Sequence, residues 1–401
     1  MTTVVIAAYN VAGFPEGGGH FWVYLQYVLG LRELGCEVYW LEAFRTKRRA
    51  EQEAAALATF RARMERYGLS GKSIVYVTTS KNPSPNAPRE YLGVKRHEAE
   101  SVFEKADLLL NFHYAMSPAL LARFRRTALI DIDPGLLQFW MSRGQLSVPR
   151  HDLYFTVSEN VGKRGGRIPD CGLDWIPIRP PLCLAHWPFR FDSRCEAFTT
   201  VSIWDSSDWI VDRDQKYENT KRVAFLEYAH LPQLTLQPLE LALFLKRERD
   251  LKEWKEMENR GWRIRHSREV AATPELYRAY VQQSRGEFSC AKRSCMEFQN
   301  AWVSDRTVCY LASGKPAVVQ DTGPSAFLPN GEGMFRFTTP EQAARAFEAI
   351  NGDYERHCRA ARKLAERYFD SKQILGKILN CALNDEAPRA GRFDSLTADR
   401  A

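Results

Sequence analysis

The sequence holds nine cysteines in 401 residues but no Cys-x-x-Cys pair. An odd, scattered set of this kind excludes a complete disulfide framework and lacks zinc-site spacing, so a reducing compartment is expected. No run of 18 apolar residues occurs, which leaves no helical membrane span. The opening residues carry no basic stretch ahead of an apolar core and read as a first strand, not a signal segment. Together these absences point to a cytoplasmic protein. No basic run with interleaved aromatics is present, so a nucleic-acid partner is a minority expectation. A G-x-G-x-x-G fingerprint is also missing after the first strand, which weighs against a dinucleotide-dependent dehydrogenase. What is present is ordinary for a globular protein: 45% hydrophobic and 26% charged residues, with a net charge of +7. The mild positive balance suits an anionic ligand such as a nucleoside diphosphate. The length suits two domains, each with its own core.

The hydrophobic pattern restarts once along the chain. Residues 3–8 form an apolar strand. A loop with Gly17, Gly18 and Gly19 follows, then a helix over 21–34 stopped by Gly35, then a strand over 37–42. This is a βαβ unit. A helix over 50–67 and short apolar strands over 73–78, 107–112, 127–132 and 153–157 continue in the manner of a buried parallel sheet. Residues 81–88 read as a proline-rich loop. Pro169, Pro177, Pro180, Pro181 and Pro188 make 169–188 an irregular linker. The second half restarts with a strand over 198–203 and the loop 204–209. Thr273-Pro274-Glu275 and Thr339-Pro340-Glu341 each combine a cap, a proline for the first turn and an acid near the dipole. Helices over 353–369 and 371–383 end the pattern, and 386–401 form a frayed tail. The expected domains are 1–187 and 188–370, with 371–401 crossing back towards the first. The expected fold class is α/β: two Rossmann-like domains facing a cleft.

Residues 304–323 are the most informative segment. Ser304 suits an N-cap and Asp305 a first turn, while Gly314 stands where the helix would stop. Pro316 and Ala317-Val318-Val319 then read as a buried strand, which ends in Gln320, Asp321, Thr322 and Gly323. A helix N-terminus and the carboxyl end of a parallel strand are both places where α/β folds hold phosphates and sugars.

With its glycine-rich first turn and the late A-S-G-K-P-A-V-V element, the chain resembles GT-B glycosyltransferases over roughly residues 3–383. The resemblance implies hexose transfer from a nucleotide sugar, most simply a UDP-sugar. It also implies no bound metal or other cofactor, an acceptor-binding first half and a donor-binding second half. The acceptor could be a small molecule, a glycan or a nucleic acid. The retaining branch often carries a Glu-x7-Glu motif whose positions fall at Ala301 and Cys309 here, so the ribose is held differently and inversion is the expected outcome. The same scaffold also serves nucleotide-sugar epimerases, nucleic-acid-base glucosyltransferases and non-catalytic nucleotide-sugar-binding proteins.

The resemblance places His20 as general base, a role suited to an imidazole near neutrality. Asp133, from the sequence Asp131-Ile132-Asp133, is expected to orient the acceptor or His20 rather than to hold a metal. Gly17, Gly18 and Gly19 would bring backbone amides to a diphosphate or acceptor, and His113 would touch a sugar. Lys292, Arg306 and the helix start at Ser304, Asp305 and Thr307 would receive the leaving diphosphate. Gln320, Asp321, Thr322 and Gly323 would meet the hexose hydroxyls. Trp204, if exposed beside the cleft, would stack on the base, and otherwise it packs in the interior.

Overall fold

The computed structural model describes residues 1–384, except 47–48, 79–89, 164–165, 207–208, 213–214 and 246–247. The loop expected over 81–88, the tail expected over 386–401 and part of the loop 204–209 therefore lie outside the described residues.

The first half forms one sheet from β1 (Thr3–Ala8), β2 (Glu37–Arg45), β3 (Ser73–Thr78), β4 (Tyr91–Leu92), β5 (Leu108–Asn111), β6 (Thr127–Asp131), β7 (Leu153–Thr156) and β8 (Trp175–Pro177). Their order is β4-β3-β2-β1-β5-β6-β7-β8, all parallel except for the β3–β4 pair. The second half carries β9 (Phe198–Ile203), the hairpin β10 (Trp209–Asp212) and β11 (Gln215–Glu218), then β12 (Leu239–Phe244), β13 (Arg263–His266), β14 (Gly286–Ser289), β15 (Ala317–Gln320) and β16 (Met334–Phe337). Its main sheet is parallel in the order β13-β12-β9-β14-β15-β16. Each sheet thus reverses direction of strand addition once, beside β1 in the first half and beside β9 in the second. Such a reversal opens a crevice at the carboxyl ends of the strands.

Parallel strands covered on both faces need continuous apolar runs. Val4, Val5 and Ile6 of β1 and Leu108, Leu109 and Leu110 of β5 are all fully buried. Two expectations about local structure need correction. The proline-rich stretch contains β8, which pairs with β7 at the sheet edge, where a strand-terminal proline removes no needed ladder bond. The first helix spans Gly18–Glu33, so Gly18, Gly19 and His20 form its first turn and not a preceding loop.

The last helix, Ser371–Leu383, packs against the first half. Lys377 Nζ donates to the Pro177 carbonyl at 2.8 Å, and Arg126 Nε donates to the Ala382 carbonyl at 3.1 Å. Its Ile374, Leu375 and Ile378 share a core cluster with Trp22 and Val28 of the first helix. Among the described residues, no helix is long and apolar enough to cross a membrane.

Candidate functional site

The two crevices meet where the N-terminus of the first helix lies against the second half. A Cβ added to Gly18 would fall 2.2 Å from the Thr273 carbonyl oxygen, and one on Gly19 would fall 2.8 Å from the Tyr277 ring. Only glycine allows so close an approach. Trp22 Nε1 donates to the Pro274 carbonyl at 2.8 Å, and Arg63 Nη2 donates to the Ala272 carbonyl at 2.8 Å, closing the same seam.

Beside this seam is a cavity of about 220 Å³ lined by Gly17, Gly18, Gly19 and His20 from the first half and by Ser304, Asp305 and Arg306 from the second. The helix Asp305–Ala312 enters it amide end first, capped by Ser304 Oγ, which accepts from Arg306 N at 3.2 Å. Its far end closes through Gly314, whose φ of +73° is a left-handed conformation that glycine adopts without strain.

His20 Nε2 is 2.7 Å from the Tyr9 carbonyl oxygen. A carbonyl can only accept, so Nε2 carries the hydrogen and Nδ1 keeps the lone pair. Burial lowers the imidazole pKa from its ordinary value, against the opposing pull of the Tyr9 bond. The ring is therefore neutral and basic at Nδ1 near physiological pH. Burial also raises the Asp305 carboxyl, with Arg306 opposing the shift.

Asp131 and Asp133 separate despite being two residues apart. Asp131 is fully buried and accepts from Gln138 Nε2 at 2.7 Å, Thr156 Oγ1 at 2.9 Å and Asp133 N at 3.0 Å. Burial pushes its carboxyl up to about 6. Asp133 is half-buried and pairs across the two halves with Lys292 at 2.6 Å.

Several second-half residues expected to face the ligand are committed internally. Arg306 donates through Nε to Glu287 at 2.7 Å, through Nη1 to the Val201 carbonyl at 3.0 Å and through Nη2 to Ser289 Oγ. Gln320 accepts from Ala291 N at 2.8 Å and donates to Tyr228 OH at 3.2 Å. Thr322 Oγ1 donates to the Trp302 carbonyl at 2.8 Å, Asp321 pairs with Arg336, and Gly323 packs on Gln299. Thr307, Ser304, Gln320 and Thr322 line a narrow crevice of about 20 Å³. Trp204 takes the interior alternative: it is 1% exposed and donates to Glu253 at 2.8 Å, so it offers no stacking face. His113 lies away from this cavity, in another on the first half.

Lys221 was not visible as a site residue in the sequence. Its ammonium lies 5.1 Å from the Trp302 ring centre and donates to the Cys290 carbonyl, both walls of the narrow crevice. Burial, with Arg306 and Lys292 nearby, lowers its pKa to about 8. Crowded cations of this kind create a field that favours a bound anion.

No family model matches the sequence, and no curated protein sequence does so either. Solved structures do match the fold over nearly the whole chain. An alpha-glucosyltransferase in complex with UDP-glucose and DNA containing an abasic site shares 11% identity, with 94% of this chain and 98% of that one covered and a TM-score of 0.58. HepE from Anabaena, in complex with UDP and glucose, shares 11% identity with 95% and 99% covered and a TM-score of 0.57. TarM shares 9% identity with 95% and 98% covered and a TM-score of 0.55.

The fold is GT-B.

In GT-B terms, the structure gathers His20, the three glycines, Ser304, Asp305 and Arg306 around one cavity at the seam of the two halves. The Lys292–Asp133 pair bridges the same two halves. The strand-end residues Gln320, Asp321 and Thr322 serve as internal ties of the second GT-B half.

Proposed function

We propose that this chain is a glycosyltransferase that moves a hexose from a UDP-sugar to an acceptor hydroxyl. The observation that carries the proposal is the single cavity in which a neutral His20 meets the amide end of the helix Asp305–Ala312. The UDP and UDP-glucose in complexes of the same fold support a uridine nucleotide as donor.

In this reading residues 1–187 bind the acceptor and residues 188–370 the donor. His20 Nδ1 takes the acceptor hydroxyl proton as that oxygen forms its bond to the anomeric carbon. The anomeric C–O bond to UDP breaks, and UDP leaves with the bonding electrons. Lys221, Lys292 and the positive end of the helix stabilise the departing diphosphate. Arg306 contributes to the field from its buried pair with Glu287, and Asp133 positions Lys292. The reaction is one displacement, so the anomeric configuration inverts. Fixed cations supply the charge stabilisation, so the proposed chemistry needs no divalent ion.

Calorimetry with UDP, GDP and dTDP in EDTA, followed by turnover of UDP-sugars, tests the reading. UDP is expected to bind, to be preferred and to be released only with acceptor present. Absence of UDP binding overturns the proposal, and sugar release without acceptor favours an epimerase. A product that keeps the donor's anomeric configuration by NMR overturns the single displacement. A nucleic-acid base is the second reading for the acceptor, favoured by likeness to a glucosyltransferase solved with DNA. Affinity for DNA that falls steeply with salt would support it.

A further inference from the structure

The first half carries a second cavity, of about 280 Å³, at the carboxyl ends of β1, β2 and β5. Tyr9, Asn10, Arg45 and His113 line it. Arg45 ends β2 half-buried, and among the described residues no ion pair engages its guanidinium. His113 is 9% exposed, and its ring stands 5.4 Å from that of Tyr9, which is 45% exposed. Burial and the neighbouring Arg45 charge lower the His113 pKa to about 4, so its ring is neutral and can exchange hydrogen bonds with a polar ligand.

The cavity adjoins the reaction site through one residue. Tyr9 presents its ring to the cavity, while its backbone carbonyl holds His20 Nε2 at 2.7 Å. A ligand against Tyr9 is therefore a neighbour of the proposed base. Small-molecule sites run upward from about 300 Å³, so this cavity suits one sugar-sized ring and its substituent. Its polar equipment is a half-buried cation, an exposed aromatic face and a neutral imidazole. A guanidinium in such a setting selects a phosphate or carboxylate, which it can meet with two parallel hydrogen bonds.

We infer that this cavity binds the acceptor and that the acceptor is a small sugar-like molecule bearing an anionic group, which Arg45 receives while its ring lies against Tyr9. The inference rests on the transferase reading and adds the acceptor's chemical class to it. The acid is held at Arg45 and the reacting hydroxyl is turned towards His20. Donor and acceptor sites are separate, so a change at Arg45 should leave the nucleotide untouched.

The test uses glucose 6-phosphate, glucuronate and glucose as probes, with UDP as a control, on the full chain and on Arg45→Ala and Arg45→Lys. Calorimetry in the presence of UDP should show wild type binding one or both acids at least tenfold more tightly than glucose. The phosphate and carboxylate arms identify which anion is preferred. Arg45→Ala should lose that preference by about ten- to a hundredfold and keep its UDP affinity, while Arg45→Lys should retain part of it. Equal binding of acids and glucose by wild type, or an unchanged preference in Arg45→Ala, overturns the inference and leaves the transferase reading standing if UDP binds. Absence of UDP binding to wild type overturns both. A short DNA oligonucleotide that binds in place of the acids overturns the commitment to a small acceptor.

Discussion

The two Rossmann-like halves differ in how they use the polar residues around their cavities. In the second half the polar groups are tied to one another: Arg306 to Glu287, Gln320 to Ala291 and Tyr228, Thr322 to Trp302, and Asp321 to Arg336. In the first half Arg45, His113 and Tyr9 face a cavity. The second half is thus a preorganised wall, in which charge is fixed before a ligand arrives. A wall of that kind loses little reorganisation energy when negative charge develops beside it. The first half carries groups whose hydrogen bonds a ligand can complete. Under the proposed function, rigidity would fall on the donor side and open valences on the acceptor side.

The largest expected effect tests whether the open side does the chemistry. His20→Ala should keep UDP affinity and lose roughly 10²–10⁴-fold in turnover, measured by UDP release. The acidic limb of the pH–rate profile should vanish with the imidazole. Near-normal turnover in the variant would move the base elsewhere.

Next in size is the committed side. Glu287 is fully buried and pairs with Arg306, so Glu287→Ala leaves a guanidinium uncompensated in the interior. A loss of about 3–5 kcal/mol is expected in urea unfolding. Arg45→Ala, on the open side, should change stability by no more than about 0.5 kcal/mol. Equal effects at the two positions would erase the contrast between the halves.

A third test uses acid. His151 is 2% exposed, lies 2.9 Å from Asn111 Nδ2 and 2.7 Å from the Pro149 carbonyl, and is lowered by burial to about 4. Its folded value lies below the unfolded one of about 6.5, so its contribution is complete above that pH and is lost as pH falls towards 4. His151→Asn should therefore be less stable than wild type at pH 7.5, and the gap should shrink by up to ~3 kcal/mol by pH 4. A gap that is constant with pH would mean that the imidazole is not held neutral by the fold.

The smallest expected effect falls on Lys221, a second-half cation that donates to the Cys290 carbonyl beside the Trp302 ring. Lys221→Met should weaken UDP by about 1.5–3 kcal/mol in calorimetry while sparing uridine. Equal loss for uridine would place its role at the base or in packing, not at the diphosphate.

The sequence by itself determined the elements whose signals are local. Ser304, Gly314 and Pro316 set the ends of one helix and the start of the next strand, because caps, left-handed φ and proline geometry act within a few residues. The apolar run of β1 likewise marked a buried strand within a few residues. His20, Asp133 and Lys292 were legible as candidates because they follow strand ends or a helix start. Only the tertiary structure decided what those positions do. It showed that Gly18 admits the backbone and Gly19 the Tyr277 ring of the second half, that Arg306 and Gln320 are internal ties, and that Trp204 is core. It also brought Lys221 beside residues 290 and 302, and Arg45 beside His113. A lone charge carries no periodicity, so its partner, 68 to 81 residues away here, is set by strand order and not by sequence spacing.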